Sequence, residues 1–131
     1  MEWIEYNFYV YIMFNERAKA TYIGVTNNLE RRVIEHKMGL VKGHTKEKGI
    51  NKLGYYEQYQ YVHDAIAREK LLKGWKRVWK YRLIESENPE WKDLAECMDD
   101  YIAKMPDMIE VVDDVTGLRE IIPRKTQDGR F

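Results

Sequence analysis

Three segments of the chain are rich in aromatic and β-branched residues, the side chains that favour β-strands. They cover residues 6–14 (YNFYVYIMF), 21–25 (TYIGV) and 52–60 (KLGYYEQYQ). The polar segment 15–19 between the first two is short, so these two segments predict a hairpin. Its turn is longer than the two-residue ideal, which leaves the register of the hairpin open.

Helical periodicity occupies much of the remaining sequence. Residues 29–38 place Leu29, Val33 and Ile34 on one side of a helix, after the polar residues 26–28 (TNN), whose side chains suit a helix N-terminus. Gly39 is the type of residue that commonly ends a helix.

A longer helical pattern covers residues 63–88, and Gly74 in its middle predicts two helices or a sharp bend. Residues 90–105 form an acidic amphipathic pattern that Pro106 ends. The resulting order β-β-α-β-α-α-α predicts an α+β domain over residues 1–105, with helices packed on a small sheet. Residues 106–131 predict either a small hairpin or a C-terminal tail.

The length of 131 residues, with 44% hydrophobic and 34% charged residues, fits one globular domain. No apolar segment approaches the roughly 20 residues that a membrane-spanning helix needs, so no membrane partner is expected. The N-terminal segment lacks the features of a signal peptide. The single cysteine, Cys97, excludes a disulfide framework within the chain and makes a cytoplasmic location the expected one.

The net charge of zero conceals an uneven distribution of charge. Residues 28–82 hold 14 Lys and Arg against 6 Asp and Glu, whereas residues 83–115 hold 2 against 11. Such asymmetry is typical of a surface for nucleic acid, although solvated helix faces would give the same pattern. The segment 39–51 (GLVKGHTKEKGIN) is a predicted basic loop.

Several polar residues have spacings that suit catalysis. Tyr11 and Tyr22 lie in two strands that should be neighbours, and each can bury its ring while keeping its hydroxyl at a rim. Arg32 and His36 share one helix face, where Arg offers a planar fork for phosphate and His can move a proton near neutral pH. Tyrosines that fill strands and an ordinary solvated helix face are the alternatives.

Glu69 borders the apolar stripe of the long helical pattern. A carboxylate in that position either pairs with a nearby cation or is held for a metal, and Mg²⁺ commonly binds through one carboxylate, waters and a substrate phosphate. A metal, an arginine and tyrosine hydroxyls together suit phosphodiester hydrolysis. The cations would offset charge at phosphorus, and a tyrosine with a lowered pKa could accept the proton of the attacking water.

An ordered series of motifs resembles the GIY-YIG nucleases, in particular the short single-domain bacterial members. The matching segments are YVYIM (9–13), YIG (22–24), TNNLERRVIEHK (26–37), YYE (55–57), AIAREKLLKGW (65–75) and LIESENPEW (83–91). The resemblance covers roughly residues 7 to 95. Tyr9 stands where the first motif of the family usually begins with glycine, and tyrosine is common there in the short members.

The resemblance implies a three-stranded antiparallel sheet flanked by helices, and cleavage of DNA with one divalent cation, Mg²⁺ or Mn²⁺. It implies Tyr11 as the general base, Tyr22 as a residue that orients water or phosphate, and Arg32 as the group that stabilises the scissile phosphate. It implies Glu69 as the protein ligand of the metal and Asn88 as a supporting residue. His36 matches a frequent histidine with a less settled role, and Gly24 lets the backbone pass close to the site.

Substrate contacts are expected from the basic loop, with Lys42, His44, Lys46 and Lys48 as the candidates, unless this loop is merely solvated. Three functions remain open: a metal-dependent DNA endonuclease that is structure-dependent or weakly sequence-specific, a nucleic-acid-binding module that cuts poorly, and a protein-interaction domain that uses the acidic segment 90–105. The oligomeric state is expected to be a monomer or a weak dimer. Repair, recombination and defence all remain open as its cellular role.

Overall fold

The computed structural model describes residues 7–17, 19–41, 49–104, 108–112 and 119–123. In these ranges the strands are β1 Phe8–Phe14, β2 Thr21–Thr26, β3 Lys52–Tyr59, β4 Met108–Val112 and β5 Arg119–Pro123. The helices are α1 Leu29–Lys37, α2 Val62–Lys73, α3 Arg77–Glu87 and α4 Met98–Ala103. None of these helices is long and apolar enough to cross a membrane.

The first three strands form an antiparallel sheet in the order β2-β1-β3, which confirms the predicted α+β class with a three-stranded sheet. β1 is the central strand and is buried along most of its length. The register of the β1–β2 hairpin, which the sequence left open, places Tyr11 opposite Gly24 and Met13 opposite Tyr22. The two tyrosines of the predicted site therefore lie on neighbouring strands.

Helix α1 begins where the sequence predicts it. The Asn28 side chain accepts a hydrogen bond from the backbone N–H of Arg31 at 3.1 Å, which satisfies a donor of the first turn. The helix ends at Lys37, and Gly39 follows with a φ of +72°, a left-handed conformation that glycine adopts without strain. These two ends fix the length of the helix that carries Arg32 and His36.

Two apolar clusters lie on opposite faces of the sheet because successive β1 side chains alternate between the faces. On one face, Val10 and Ile12 pack with residues of α2, including Ala65 and Leu72. On the other face, Tyr11 packs in a cluster that includes Met13 of β1, Val33 of α1 and Ala95. Helices α1 and α2 therefore pack on opposite faces of the sheet.

The long helical pattern divides at Gly74, as predicted, so that α2 ends at Lys73 and α3 begins at Arg77. The interpretation of residues 90–105 as one helix is wrong for its first part, because α4 begins only at Met98. One tertiary and one local hydrogen bond of Asp93 hold the preceding segment in another conformation. The Asp93 carboxylate accepts from the backbone N–H groups of Leu53 and Ala95, each at 3.0 Å.

In the C-terminal part, β4 and β5 pair antiparallel with each other, with Met108 opposite Pro123 and Val112 opposite Arg119. This pairing is the one expected of a small hairpin. Residues 113–118, which connect the two strands, lie outside the described residues.

Candidate active site

Tyr11 is buried at the centre of the sheet, with 1% of its surface exposed. Its ring lies against the backbone of Gly24 on β2, so that a Cβ atom added to Gly24 would lie 2.4 Å from the Tyr11 hydroxyl oxygen. Real Cβ atoms do not approach other atoms so closely. The absence of a side chain at Gly24 thus creates the space in which the Tyr11 hydroxyl sits, as the predicted role of this glycine requires.

The Tyr11 hydroxyl joins the two residues that α1 contributes. It lies 2.9 Å from Nε2 of His36 and interacts electrostatically with the Arg32 guanidinium. A guanidinium has donors only, so it cannot accept the hydroxyl proton, which is available to Nε2. In the described part of the chain, Nδ1 of His36 has no hydrogen-bond partner, so it can carry the imidazole proton.

Tyr22 completes this group from β2. Its ring centroid lies 5.0 Å from that of His36 and 6.3 Å from that of Tyr11. The structure therefore brings together Tyr11, Tyr22, Arg32 and His36, which we call the tyrosine–arginine–histidine cluster. The β1–β2 register and the three-to-four-residue spacing along α1 produce this convergence.

Glu35 is a further member of the site that the sequence analysis missed. Its carboxylate is 3% exposed and accepts a hydrogen bond from Nη1 of Arg32 at 3.0 Å, while Nε of Arg31 lies 3.8 Å away. Its spacing of three and four residues from these arginines could have indicated that Glu35 pairs with them on the helix. Glu35 orients Arg32, whose side chain keeps 23% of its surface exposed and so can reach a bound anion.

Burial sets the protonation states of the cluster. Burial raises the pKa of Tyr11 well above its usual value, an effect that the charge of Arg32 partly offsets. Burial, and then Arg32, lower the pKa of His36 to about 3. Burial by itself lowers the pKa of Arg32. The interactions of Arg32 with Tyr11 and Glu35 outweigh burial and raise this pKa above its usual value. At neutral pH the cluster therefore contains a phenol, a neutral imidazole and a guanidinium cation.

Glu69 lies on α2, which packs on the opposite face of the sheet from Tyr11. Its carboxylate forms an ion pair with Nζ of Lys73, one turn further along the helix. No hydrogen bond or ion pair between described residues joins Glu69 to the tyrosine–arginine–histidine cluster. The role that the resemblance implies for Glu69 stays a prediction.

Glu69 is the one carboxylate that the resemblance implies as a ligand of a divalent cation. The described residues contain no group of three or more His, Cys, Asp or Glu side chains that could hold a metal. Glu69 nevertheless suits Mg²⁺ or Mn²⁺ in the mode where one carboxylate, waters and a substrate phosphate share the ion. Its partner Lys73 has a side chain that is 55% exposed, so the ion pair can open into solvent.

Asn88 has a structural role that the geometry makes plain. Its buried Nδ2 donates to the backbone oxygens of Gly54 at 3.2 Å and Lys92 at 2.8 Å, and its Oδ1 accepts from the Lys92 N–H at 3.0 Å. These bonds fasten the loop after α3 to β3. The implied role of Asn88 in catalysis stays a prediction.

The predicted contacts with substrate lie outside the described residues. Lys42, His44, Lys46 and Lys48 all fall within residues 42–48, which the structure does not describe. Arg68, one of the cations counted in the basic region, is instead bound to Glu57 through two hydrogen bonds of 2.9 Å. The guanidinium of Arg68 is therefore occupied by Glu57 and is not expected to contact a phosphate backbone.

Comparison with known proteins identifies relatives of the chain. The model of the GIY-YIG catalytic domain matches residues 7–82. A UPF0213 protein of Clostridium perfringens is 36% identical over 80 residues, which are 61% of this chain and 85% of that protein. A UPF0213 protein of Bacillus licheniformis is 30% identical over 90 residues, covering 69% of this chain and 93% of that one.

A solved structure is also similar to this chain. It is the solution NMR structure of a UPF0213 protein from Bacillus halodurans, with 24% identity and a TM-score of 0.44. The match covers 66% of this chain and 92% of that protein.

Proposed function

The chain belongs to the GIY-YIG catalytic domain family, and from this premise we propose that it is a divalent-metal-dependent endonuclease that hydrolyses DNA phosphodiester bonds. One observation carries the proposal: the buried hydroxyl of Tyr11 lies 2.9 Å from Nε2 of His36 and interacts electrostatically with the guanidinium of Arg32. This arrangement places an anion-binding group and a path for a proton at the same point. Both are required for hydrolysis of a phosphodiester.

Arg32 binds and polarises the scissile phosphate in this proposal. Its fork is already oriented by Glu35 at 3.0 Å and by the Tyr11 hydroxyl, so little side-chain freedom remains to be lost when the phosphate binds. Glu69 would hold Mg²⁺ or Mn²⁺, which when bound would supply positive charge to the phosphate. Cations of the predicted basic loop, with Lys42 and Lys46 among the candidates, would then contact the phosphate backbone of the DNA.

Tyr11 transfers the proton of the attacking water without becoming a tyrosinate. As its oxygen receives that proton, its own proton moves to Nε2 of His36, the atom 2.9 Å away. The low pKa of His36, about 3, opposes this transfer in the free protein. A phosphate anion beside the imidazole favours its charged form and raises this pKa, so the proton path is completed when substrate binds.

A nucleic-acid-binding module with little cleavage is the second candidate function, and specific observations favour it. Tyr11 is only 1% exposed and burial raises its pKa, both of which oppose its use as a base. Glu69 is engaged by Lys73 rather than open to a metal. A domain in which these contacts persist would bind DNA and leave it intact.

The test is cleavage of labelled branched, single-stranded and duplex DNA, with Mg²⁺ or Mn²⁺ compared with EDTA. We expect metal-dependent cutting that falls at least 100-fold in Glu69→Ala and Tyr11→Phe, the scale of one lost metal ligand or proton-transfer group. Tyr61→Phe is the matched control, because Tyr61 is 62% exposed and loses an equivalent hydroxyl outside the cluster. It should cut like the wild type.

Three other results would each change the conclusion. Binding without cutting by the wild type would establish the second candidate function. Cutting that persists in Glu69→Ala would show that Glu69 is not the metal ligand. Equal loss of activity in Tyr11→Phe and Tyr61→Phe would remove the special role given to Tyr11.

A further inference from the structure

A cleft with a volume of about 480 Å³ opens on the face of the sheet that carries Tyr11. It lies between the start of α1, the ends of β1 and β3 that carry Tyr9 and Gln58, and residues 94–98. A volume of this size is within the range of sites for small molecules. The tyrosine–arginine–histidine cluster does not line it, so it is a separate feature of the same face.

The floor of the cleft is apolar. It is formed by five side chains that continue into the core: Leu29, Val33, Leu53, Ala95 and Met98. Val33, Leu53 and Ala95 belong to the same packed cluster as Tyr11. The floor is therefore rigidly connected to the candidate active site, and it favours a ligand with an apolar face.

Two tyrosines form one wall. The rings of Tyr9 and Tyr56 meet edge to face, with centroids 6.4 Å apart and an interplanar angle of 64°. Tyr56 remains 49% exposed, so one side of its ring is open to solvent. A half-exposed ring beside an apolar floor offers a stacking surface for a planar group.

Carboxamides supply the polar groups of the cleft. Nε2 of Gln58 donates to Oδ1 of Asn7 at 2.7 Å, which orients both side chains and leaves the Gln58 oxygen and the Asn7 nitrogen for a ligand. Asn28 uses its Oδ1 to cap α1, so its Nδ2 faces no competing bond in the described structure. Paired donors and acceptors of this type match the edges of nucleobases.

The charges of the lining exclude a phosphate as its ligand. No Lys or Arg is present in the described lining, and its one charged residue is the acidic Glu30. A phosphate would require cations, whereas a neutral base needs hydrogen-bonding groups and an aromatic surface. The cleft therefore suits the base of a nucleotide and not its backbone.

The cleft is adjacent to the proposed chemistry. Tyr9 is two residues before Tyr11 on β1 and on the same face, which corresponds to about 7 Å along the strand. Asn28 and Leu29 are one helical turn before Arg32 and Val33. A base in the cleft would thus belong to a nucleotide close to the phosphate that Arg32 holds.

We propose that this cleft binds one unpaired nucleobase next to the scissile phosphate, so that the protein selects single-stranded, flap or frayed DNA over closed duplex. The inference rests on the proposed function for the position of the phosphate, and on the cleft itself for the base. A base stacked and paired within a duplex cannot enter a pocket of this kind without being extruded.

The test is binding in EDTA, where no cleavage occurs, measured by fluorescence anisotropy. The ligands are a short single-stranded oligonucleotide, the same backbone with abasic sites, and the corresponding duplex. We expect Tyr56→Ala to weaken binding of the intact strand about 5- to 100-fold, the range for loss of one base–aromatic stack, and to leave binding of the abasic strand almost unchanged. Gln58→Ala should weaken binding of the intact strand in the same direction.

Trp79→Ala is the matched control, because Trp79 is an aromatic residue of similar exposure, 47%, on α3 and outside the cleft. It should bind like the wild type. Equal weakening in Tyr56→Ala and Trp79→Ala would overturn the proposal, as would equal wild-type affinity for intact and abasic strands. Circular dichroism melts of both variants identify any loss of binding that is due to unfolding. If Tyr56→Ala is unfolded, the binding of Gln58→Ala to the intact strand decides whether the cleft contributes.

This experiment separates the inference from the proposed function. Cleft-dependent binding in a protein that never cuts would retain the base site and remove the endonuclease. Metal-dependent cutting together with unchanged binding in Tyr56→Ala and Gln58→Ala would retain the endonuclease and remove the base site.

Discussion

The ring of Tyr11 on β1 occupies the space that a side chain at Gly24 on β2 would need. An added Cβ at Gly24 would lie 2.4 Å from the hydroxyl oxygen and 2.6 Å from Cζ of Tyr11. The two residues are direct partners in the antiparallel register. The position of the Tyr11 hydroxyl, and hence its interactions with Arg32 and His36, depends on the absence of a side chain at Gly24.

Gly24→Ala should therefore displace Tyr11 and damage both stability and activity. We expect the free energy of unfolding in urea to fall by about 1–3 kcal/mol, as for other overpacked cores, and any cleavage to be lost with the hydroxyl. Gly74→Ala is the control, since its added Cβ would lie 3.5 Å from the nearest atom and its φ of −80° suits alanine. It should be neutral or stabilising by about 0.5 kcal/mol. Equal unfolding free energies for the two variants would contradict the close contact.

His36 should make the folded state sensitive to acid. Burial lowers its pKa to about 3 in the folded protein, whereas the usual value in an unfolded chain is about 6.5. Between these two values the unfolded chain binds more protons, so stability falls as the pH falls from about 6.5 towards 3. At pH 5 the loss from this one residue is about 2 kcal/mol relative to pH 7 or above.

The measurement is urea unfolding of the wild type and His36→Gln at pH 7 and pH 5. Carboxylates titrate in both proteins, so the difference between their pH dependences isolates His36. His63→Gln is the control, because His63 is exposed on α2. It should retain the pH dependence of the wild type. A His36→Gln variant that loses as much stability on acidification as the wild type would disprove a buried neutral imidazole.

The local pattern of the sequence was sufficient to predict the sheet, helix α1 and the division of the long helical pattern at Gly74. Strand alternation and helical spacing put Tyr11, Tyr22, Arg32 and His36 on the elements where the structure has them. Their convergence followed from a hairpin and a helix that are close in sequence. Glu35 was missed because its carboxylate looked like part of an ordinary charged helix face, and only its burial reveals that it orients Arg32.

Residues 90–97 could not be predicted in the same way. Their acidic amphipathic pattern fits a helix, but their conformation is fixed by partners distant in sequence. Asp93 binds the N–H of Leu53, 40 residues away, and the ammonium of Lys37, 56 residues away. The cleft has the same origin, because it is assembled from β1, α1, β3 and this segment.

Asp93 should be one of the most sensitive positions for stability. Its carboxylate lies 2.5 Å from Nζ of Lys37, and the two side chains are 7% and 6% exposed. Asp93→Asn would remove the buried counter-charge of Lys37 and leave it only the carboxylate of Asp99, which lies 3.1 Å away and is 59% exposed. We therefore expect a loss near the lower end of the about 3–5 kcal/mol that removal of one partner of a buried pair costs. Urea unfolding measures this loss.

The control for that variant is Glu90→Gln, which removes a carboxylate from a pair with Lys92 whose side chains are 70% and 72% exposed. Exposed pairs contribute little, so its unfolding free energy should stay within about 0.5 kcal/mol of the wild type. If Asp93→Asn were as mild as Glu90→Gln, the buried pair would not be what fastens α1 to this segment.

Lys73 should compete with a divalent cation for Glu69. Its ammonium pairs with the Glu69 carboxylate, so a metal that binds there must displace it. Lys73→Met removes this competitor, and we expect Mn²⁺ to bind about 2- to 5-fold more tightly, the worth of a partly exposed ion pair. Calorimetric titration with Mn²⁺ in the absence of DNA measures the change.

Lys70→Met is the control, because it removes the same charge from the exposed surface of the same helix without an ion pair to Glu69 in the described structure. Equal tightening in both variants would indicate a general effect of net charge, and no change in Lys73→Met would show that the metal does not use Glu69.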